Sequence, residues 1–223
     1  MIVFIIAGGK LNPEFAKGFI ADHSFDKTLF IACDSGFESC QLIGVSPDIV
    51  VGDFDSVSDE GFSSIEKSGA EIVKLNPIKD DTDTEAALLI AFKRTKDIDE
   101  IYILGGTGAR IDHTLGNISL LGLGLKHDRE VILVDDRNYI QMLAPGWTLE
   151  LEKDGKFGQF GKYVSVFPYG GIASGVTMEG FKYPLHRATL GGFNTLTVSN
   201  EIVDDFATIH VAEGYLIVCE SRD

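Results

Sequence analysis

Basic residues are scarce in this chain: 19 lysines and arginines stand against 34 aspartates and glutamates, a formal net charge of −15 over 223 residues. A chain so short of clustered Lys and Arg is poorly suited to bind nucleic acid or an anionic membrane non-specifically. Its field would also repel a polyphosphate ligand unless a metal ion or a local basic group intervened. Cysteine is scarcer still. Cys33, Cys40 and Cys219 are scattered, so they form neither a disulfide framework nor a zinc-ligand spacing, and a reducing cytoplasm is the compartment they suit. Long apolar runs are missing, and nothing approaches the ~18–20 residues of a membrane span. The apolar start, residues 1–9, has no basic residue before it and lacks the layout of a signal peptide. There is no low-complexity tract and no obvious internal repeat.

What is present is the composition of a globular protein, 44% hydrophobic and 24% charged, long enough for one large domain or two small ones. Up to about residue 135, short β-rich runs alternate with helical patterns. Strands are predicted at 2–7, 29–32, 49–51, 71–75, 101–104 and 131–134, and helices at 13–21, 37–43, 59–68, 82–96 and 113–125. This alternation predicts an α/β fold whose sheet is mainly parallel and Rossmann-like, with helices on both faces. Past Asp135-Asp136 the texture changes to short β-like runs at 139–143, 148–151, 163–167, 175–178, 196–199, 207–211 and 215–219, separated by glycines and prolines. An antiparallel β-sandwich or barrel of roughly seven or eight strands follows from that pattern. The expected domains are 1–138 and 139–223.

In an open parallel sheet, ligands bind outside the carboxyl ends of the strands, so the residues after each predicted strand carry the functional argument. They are Gly8-Gly9; Asp34-Ser35-Gly36; Gly52-Asp53-Phe54-Asp55-Ser56; Asp80-Asp81-Thr82-Asp83; and Gly105-Gly106-Thr107-Gly108-Ala109-Arg110-Ile111-Asp112-His113. An isolated Asp-x-Asp is usually a polar turn. Five such loops along one edge point instead to a site for a metal ion and a phosphate. Asp53, Asp55 and Asp83 are suited to share Mg²⁺, which takes few carboxylates and keeps several waters. Gly105, Gly106 and Gly108, with Thr107 among them, allow close approach of backbone N–H groups to phosphate oxygens. Arg110 offers a permanent forked cation. The glycine loop has neither P-loop nor Rossmann fingerprint spacing. Other roles stay open at this stage: helix capping for Asp80, Asp81 and Thr82, pairing with Arg110 for Asp112, and a structural hydrogen bond at a helix start for His113. Asp135 and Asp136 are expected to be solvated turn residues, and Asp97, Asp99 and Glu100 an exposed loop.

These loops, in this order, resemble those of the thiamine pyrophosphokinase (thiamine diphosphokinase) family, in its bacterial branch. The resemblance covers essentially the full length, including Gly180-Phe181-Lys182-Tyr183-Pro184-Leu185 and Val198-Ser199-Asn200-Glu201. It implies an enzyme that moves pyrophosphate from ATP to the hydroxyl of thiamine, giving thiamine diphosphate and AMP with Mg²⁺. It also implies an α/β catalytic domain, a β-sandwich domain, and a homodimer with sites between subunits. Under it, Asp53, Asp55 and Asp83 match metal-binding carboxylates. Asp34, Thr82, Arg110 and Asp112 match residues lining the ATP and the reaction centre, with Asp81, the Gly105–Gly108 loop and His113 on the nucleotide side. Tyr183 stands where an aromatic stacks on thiamine, and Ser199 and Asn200 where polar groups meet the same ligand.

The chemistry suits the residues. A primary alcohol attacking a β-phosphorus needs positioning and charge stabilisation more than covalent help. A tyrosine face favours a cationic thiazolium, although by itself the pattern around Tyr183 favours a sandwich-core tyrosine, and only the resemblance reverses that reading. Asp34, Asp81 and Asp112 are candidates for a general base, with direct metal activation as the alternative. The rival readings are an Mg²⁺-dependent pyrophosphoryl or nucleotidyl transferase with another acceptor, and a non-catalytic thiamine or nucleotide sensor.

Overall fold

The computed structural model describes residues 1–24, 27–54, 59–76, 81–94, 100–108, 110–153, 159–192 and 194–223. It forms two compact units, Met1–Asp136 and Arg137–Asp223. Asp55, Ser56, Asp80, Asp97, Asp99 and Ala109 lie outside the described residues.

The first unit runs β1 (Ile2–Ile6), α1 (Pro13–His23), β2 (Thr28–Cys33), α2 (Gly36–Ile43), β3 (Ile49–Gly52), α3 (Asp59–Lys67), β4 (Glu71–Lys74), α4 (Asp83–Arg94), β5 (Glu100–Leu104), α5 (Ile111–Lys126) and β6 (Glu130–Val134). Its strands lie in the order β4-β3-β2-β1-β5-β6, and every pairing is parallel. The unbroken apolar run of β1 is buried throughout, as expected for a central strand covered on both faces. Register puts Phe4 beside Phe30 and Tyr102, and the rings stack at 5.4 and 5.6 Å. Local chemistry sets the helix ends. Asn12 accepts the Phe15 N–H at 3.2 Å ahead of Pro13, and Gly44 closes α2 in the left-handed region at φ 75°.

Strand order matters for function. The chain steps outward from β1 through β2, β3 and β4, then returns to place β5 on the other side of β1. The reversal leaves a crevice at the carboxyl ends of β1 and β5, where open α/β sheets bind ligands.

The second unit comprises β7 (Asn138–Leu143), β8 (Thr148–Glu152), β9 (Tyr163–Glu179), β10 (Leu185–Leu190), β11 (Phe206–His210) and β12 (Glu213–Ser221), all antiparallel. It is β-sandwich-like. The first half of β9 pairs with β12, and the second half pairs with β10 and β11. Val164, Val166, Val176, Met178, Ile209, Leu216 and Val218 form its buried core.

Three expectations are corrected here. The runs at 163–167 and 175–178 are one strand, which passes through Gly170 and Gly175 at φ 72° and 65° rather than ending there. Residues 196–199 form a turn: Leu196 and Val198 alternate like a strand but are both exposed, and the Val198 N–H closes on the Thr195 carbonyl. Strand β10 went unread because His186 and Arg187 interrupt its apolar pattern. Six strands are therefore found among the described residues, against the expected seven or eight.

Candidate active site

A cavity of about 600 Å³ opens in the first unit at the carboxyl ends of its strands. Gly8 and Gly9 follow β1, Asp34 and Ser35 follow β2, Asp53 follows β3, and the Gly105–Gly108 loop follows β5. Asp81, Thr82 and Asp83 enter from the start of α4; Arg110, His113 and Asn117 enter from α5. Fold topology thus brings together residues from five separate loops.

Asp34 is the most constrained of them. Its φ is 44°, a left-handed conformation uncommon for a side chain that has a Cβ. Its N–H donates to the Val51 carbonyl, and its own carbonyl accepts from the Phe37 N–H, each at 3.0 Å. The carboxyl group lies against Gly52, where any Cβ would collide with Oδ1. That contact explains a glycine at the end of β3. Burial pushes Asp34 up to about 7; a hydrogen bond shared with Asp83 and the charges of Asp83 and Asp53 act the same way, against the Phe54 N–H. Its Oδ1 is buried without a hydrogen-bond partner.

A corner holding crowded carboxylates and one orphaned buried oxygen is short of positive charge, and a hard divalent cation would correct this. Asp53 and Asp83 stand ready on the cavity wall. Among the described residues, no three acidic, histidine or cysteine side chains form a metal-holding group by themselves.

Arg110 precedes α5 and reaches the cavity, but its fork is engaged by Asp112. Nε donates to Oδ1 at 3.1 Å and Nη2 to Oδ2 at 2.5 Å, with both side chains exposed. This pairing, first through the hydrogen bonds, draws Asp112 down to about 2. Asp112 therefore serves Arg110, and it does not line the cavity. Thr82 does two things: it lines the cavity, and its hydroxyl caps α4 by accepting the Glu85 N–H at 3.2 Å.

Two of the expected solvated residues are engaged. Asp135 accepts the Thr107 hydroxyl at 2.6 Å, and Asp136 accepts from Asn12 at 3.3 Å. Ser35 stood in the row of polar loops without a role, and its hydroxyl donates to the Gly8 carbonyl at 3.2 Å; sequence reasoning missed Asn117. The signal for Asn117 was available: it shares the buried stripe of α5 with Leu120, Leu121 and Gly124, a polar residue at apolar spacing.

In the second unit, Tyr183 is 62% exposed, so it is no core residue. Its backbone is held by Asn200, which is 4% exposed: Oδ1 accepts the Tyr183 N–H at 3.0 Å, and Nδ2 donates to the Tyr183 carbonyl at 2.8 Å. Asn200 thus spends its amide on the backbone of Tyr183 and, through Oδ1, on the Glu201 N–H at 3.0 Å. Ser199 adopts φ 59° and donates its N–H to Ser165 Oγ at 2.9 Å. Lys182 lies 5.7 Å from the Tyr183 ring centroid, and its ammonium pairs with Glu201 at 3.0 Å.

Known proteins resemble this chain in sequence and in fold. Residues 22–133 match the family model described as "Thiamin pyrophosphokinase, catalytic domain", and residues 148–216 the one described as "Thiamin pyrophosphokinase, vitamin B1 binding domain". The curated thiamine pyrophosphokinase of Bacillus subtilis (strain 168) is 37% identical over 221 residues, 98% of each chain. The chain belongs to the thiamin pyrophosphokinase family. Solved thiamine pyrophosphokinase structures share its fold. The crystal structure from Bacillus subtilis has a TM-score of 0.86 at 33% identity, with 100% of both chains covered. That from Geobacillus thermodenitrificans has 0.82 at 30% identity, covering 100% of this chain and 98% of the other. No helix among the described residues is long and apolar enough to cross a membrane.

Proposed function

We propose that this protein transfers the pyrophosphoryl group of ATP to the hydroxyl of thiamine, yielding thiamine diphosphate and AMP. The observation that carries this reading is the convergence of Asp34, Asp53, Asp83, the Gly105–Gly108 loop and Arg110 on one cavity of a chain in this family. In the reaction the thiamine oxygen bonds to the β-phosphorus, and the bond from that phosphorus to the oxygen of AMP breaks. Charge gathers on the transferring oxygens. Arg110 and the N–H groups of the glycine loop are the chain's own means of stabilising it.

Mg²⁺, held by Asp53, Asp83 and Asp55, would supply further positive charge to those oxygens. Asp112 is a poor base for the thiamine proton, because Arg110 holds it near 2. Asp34 and Asp81 are left for that role. Asp34, Thr82, Arg110 and the loop Gly105, Gly106, Thr107 and Gly108 bind the nucleotide end, with His113 at the start of α5. Tyr183 offers an aromatic face to the cationic thiazolium. Ser199 and Asn200 support it, Asn200 through backbone bonds.

In this reading residues 1–138 are the ATP and Mg²⁺ domain, a Rossmann-like sheet covered on both faces by helices. Residues 139–223 are the thiamine-binding sandwich. The working form is a cytoplasmic homodimer with sites between subunits. One assay tests the reaction: purified protein, MgATP and thiamine, with products identified by mass. Thiamine diphosphate with AMP is expected. ADP or free pyrophosphate as the nucleotide-derived product would overturn the assignment, and undiminished turnover in excess EDTA would remove Mg²⁺ from it.

A further inference from the structure

We infer that Asn117 is a positioning residue for the transfer reaction, setting the direction of the backbone N–H groups that the Gly105–Gly108 loop offers to ATP. The inference rests on the nucleotide reading of the cavity given above. Asn117 is a polar side chain 6% exposed, on the buried face of α5, and it lines the cavity. Its Nδ2 donates to the Gly106 carbonyl at 2.7 Å. A second tether lies one residue earlier, where the Gly9 N–H donates to the Gly105 carbonyl at 3.0 Å. A third lies one residue later, from the Thr107 hydroxyl to Asp135 at 2.6 Å.

In a trans peptide the carbonyl and the following N–H point in opposite directions. Holding the Gly106 carbonyl on Asn117 therefore fixes the Thr107 N–H, and holding the Gly105 carbonyl on Gly9 fixes the Gly106 N–H. The carbonyls, which would repel phosphate, are occupied. The amides, which attract it, are left with a set direction. The loop needs these outside tethers because Gly105 and Gly108 adopt φ 68° and 81°, conformations in which glycine provides no stiffness of its own. Space around the tether is already filled. A Cβ at residue 106 would press on Leu133, Ile103 and the Asn117 amide, so only glycine fits beside the tether.

The test uses full-length Asn117→Ala and Asn117→Asp, the second keeping the side chain's size while replacing the amide donor with a carboxylate. Steady-state kinetics should show the KM for MgATP rising about tenfold in Asn117→Ala and further in Asn117→Asp, with the KM for thiamine within twofold of the parent. Amide hydrogen exchange across residues 105–108 of the free protein should quicken, and MgATP should no longer slow it as it does in the parent. Unchanged MgATP KM and unchanged loop exchange in either folded variant would overturn the inference. So would equal rises in both KM values with a lowered Tm, which mark a purely structural residue. If MgATP fails to slow loop exchange in the parent protein, the nucleotide reading of the cavity falls, and this inference falls with it.

Discussion

Asn200 grips Tyr183 at both ends of its backbone, accepting from its N–H at 3.0 Å and donating to its carbonyl at 2.8 Å. The buried amide thereby holds an exposed aromatic ring at a defined height above the second unit. Replacing Asn200 by Ala leaves the Tyr183 N–H and carbonyl and the Glu201 N–H, all partly buried, short of a partner, a cost of about 2 kcal/mol. Tm should fall by several degrees. The KM for thiamine should rise about tenfold, and the KM for MgATP should stay put. Tyr183→Ala should reproduce the kinetic effect without the loss of Tm, since its ring is exposed. Parallel thermal melts and substrate titrations check both.

Gly52→Ala is expected to be more damaging than its size suggests. The added methyl meets the Asp34 carboxyl group directly and forces it from its place beside Asp83. Turnover should drop at least a hundredfold, and Asp34→Asn should lose activity comparably while keeping or raising Tm at pH 8, because it removes a poorly solvated charge. A Gly52→Ala enzyme with parental kcat/KM would show that the Asp34 position is unimportant.

Arg110→Ala should abolish turnover and leave the fold intact, as the Arg110–Asp112 pair is exposed and worth little to stability. Asp112 should then titrate close to an ordinary aspartate instead of near 2, a change visible by NMR of its carboxyl carbon. Parental activity in the folded variant would refute the role given to Arg110.

Glu220 predicts a pH dependence of stability distinct from that of catalysis. It is 3% exposed, near the end of β12, and accepts the Phe160 N–H at 2.8 Å. Burial pushes it up to about 7 from an ordinary 4.5, with the Phe160 N–H opposing. The folded state therefore binds this proton more tightly than the unfolded state does. The contribution to stability is present below about pH 4.5 and lost as pH rises through 7, at most about 3 kcal/mol. Asp34 acts in the same direction. Glu220→Gln keeps an oxygen for Phe160 and should flatten the fall in Tm between pH 5.5 and 8.5; an unaltered slope would contradict the assignment.

Much of the first unit was legible because central parallel strands are apolar on both faces and their helices carry a regular stripe. The reading failed where local pattern and long-range pairing disagree. Residues 196–199 alternate like a strand, yet no continuous ladder forms along them: Val166 bonds to Thr197 alone, and the Val198 N–H turns back onto the Thr195 carbonyl. Glycines seemed to cut β9 in two, yet its halves join different partners and the chain needs the bend.

The order of strands and helices, and the row of polar loops after them, were determined by the sequence alone, since hydrophobic period and turn chemistry act between near neighbours. So was the resemblance to a pyrophosphokinase. Only the tertiary structure decided what each polar residue spends its hydrogen bonds on. Asp34 meets Asp83, Asn117 meets Gly106, Asp135 meets Thr107 and Asn200 meets Tyr183 across the fold. A polar side chain takes whichever partner its buried surroundings provide, and those surroundings exist only after the strands have found their order.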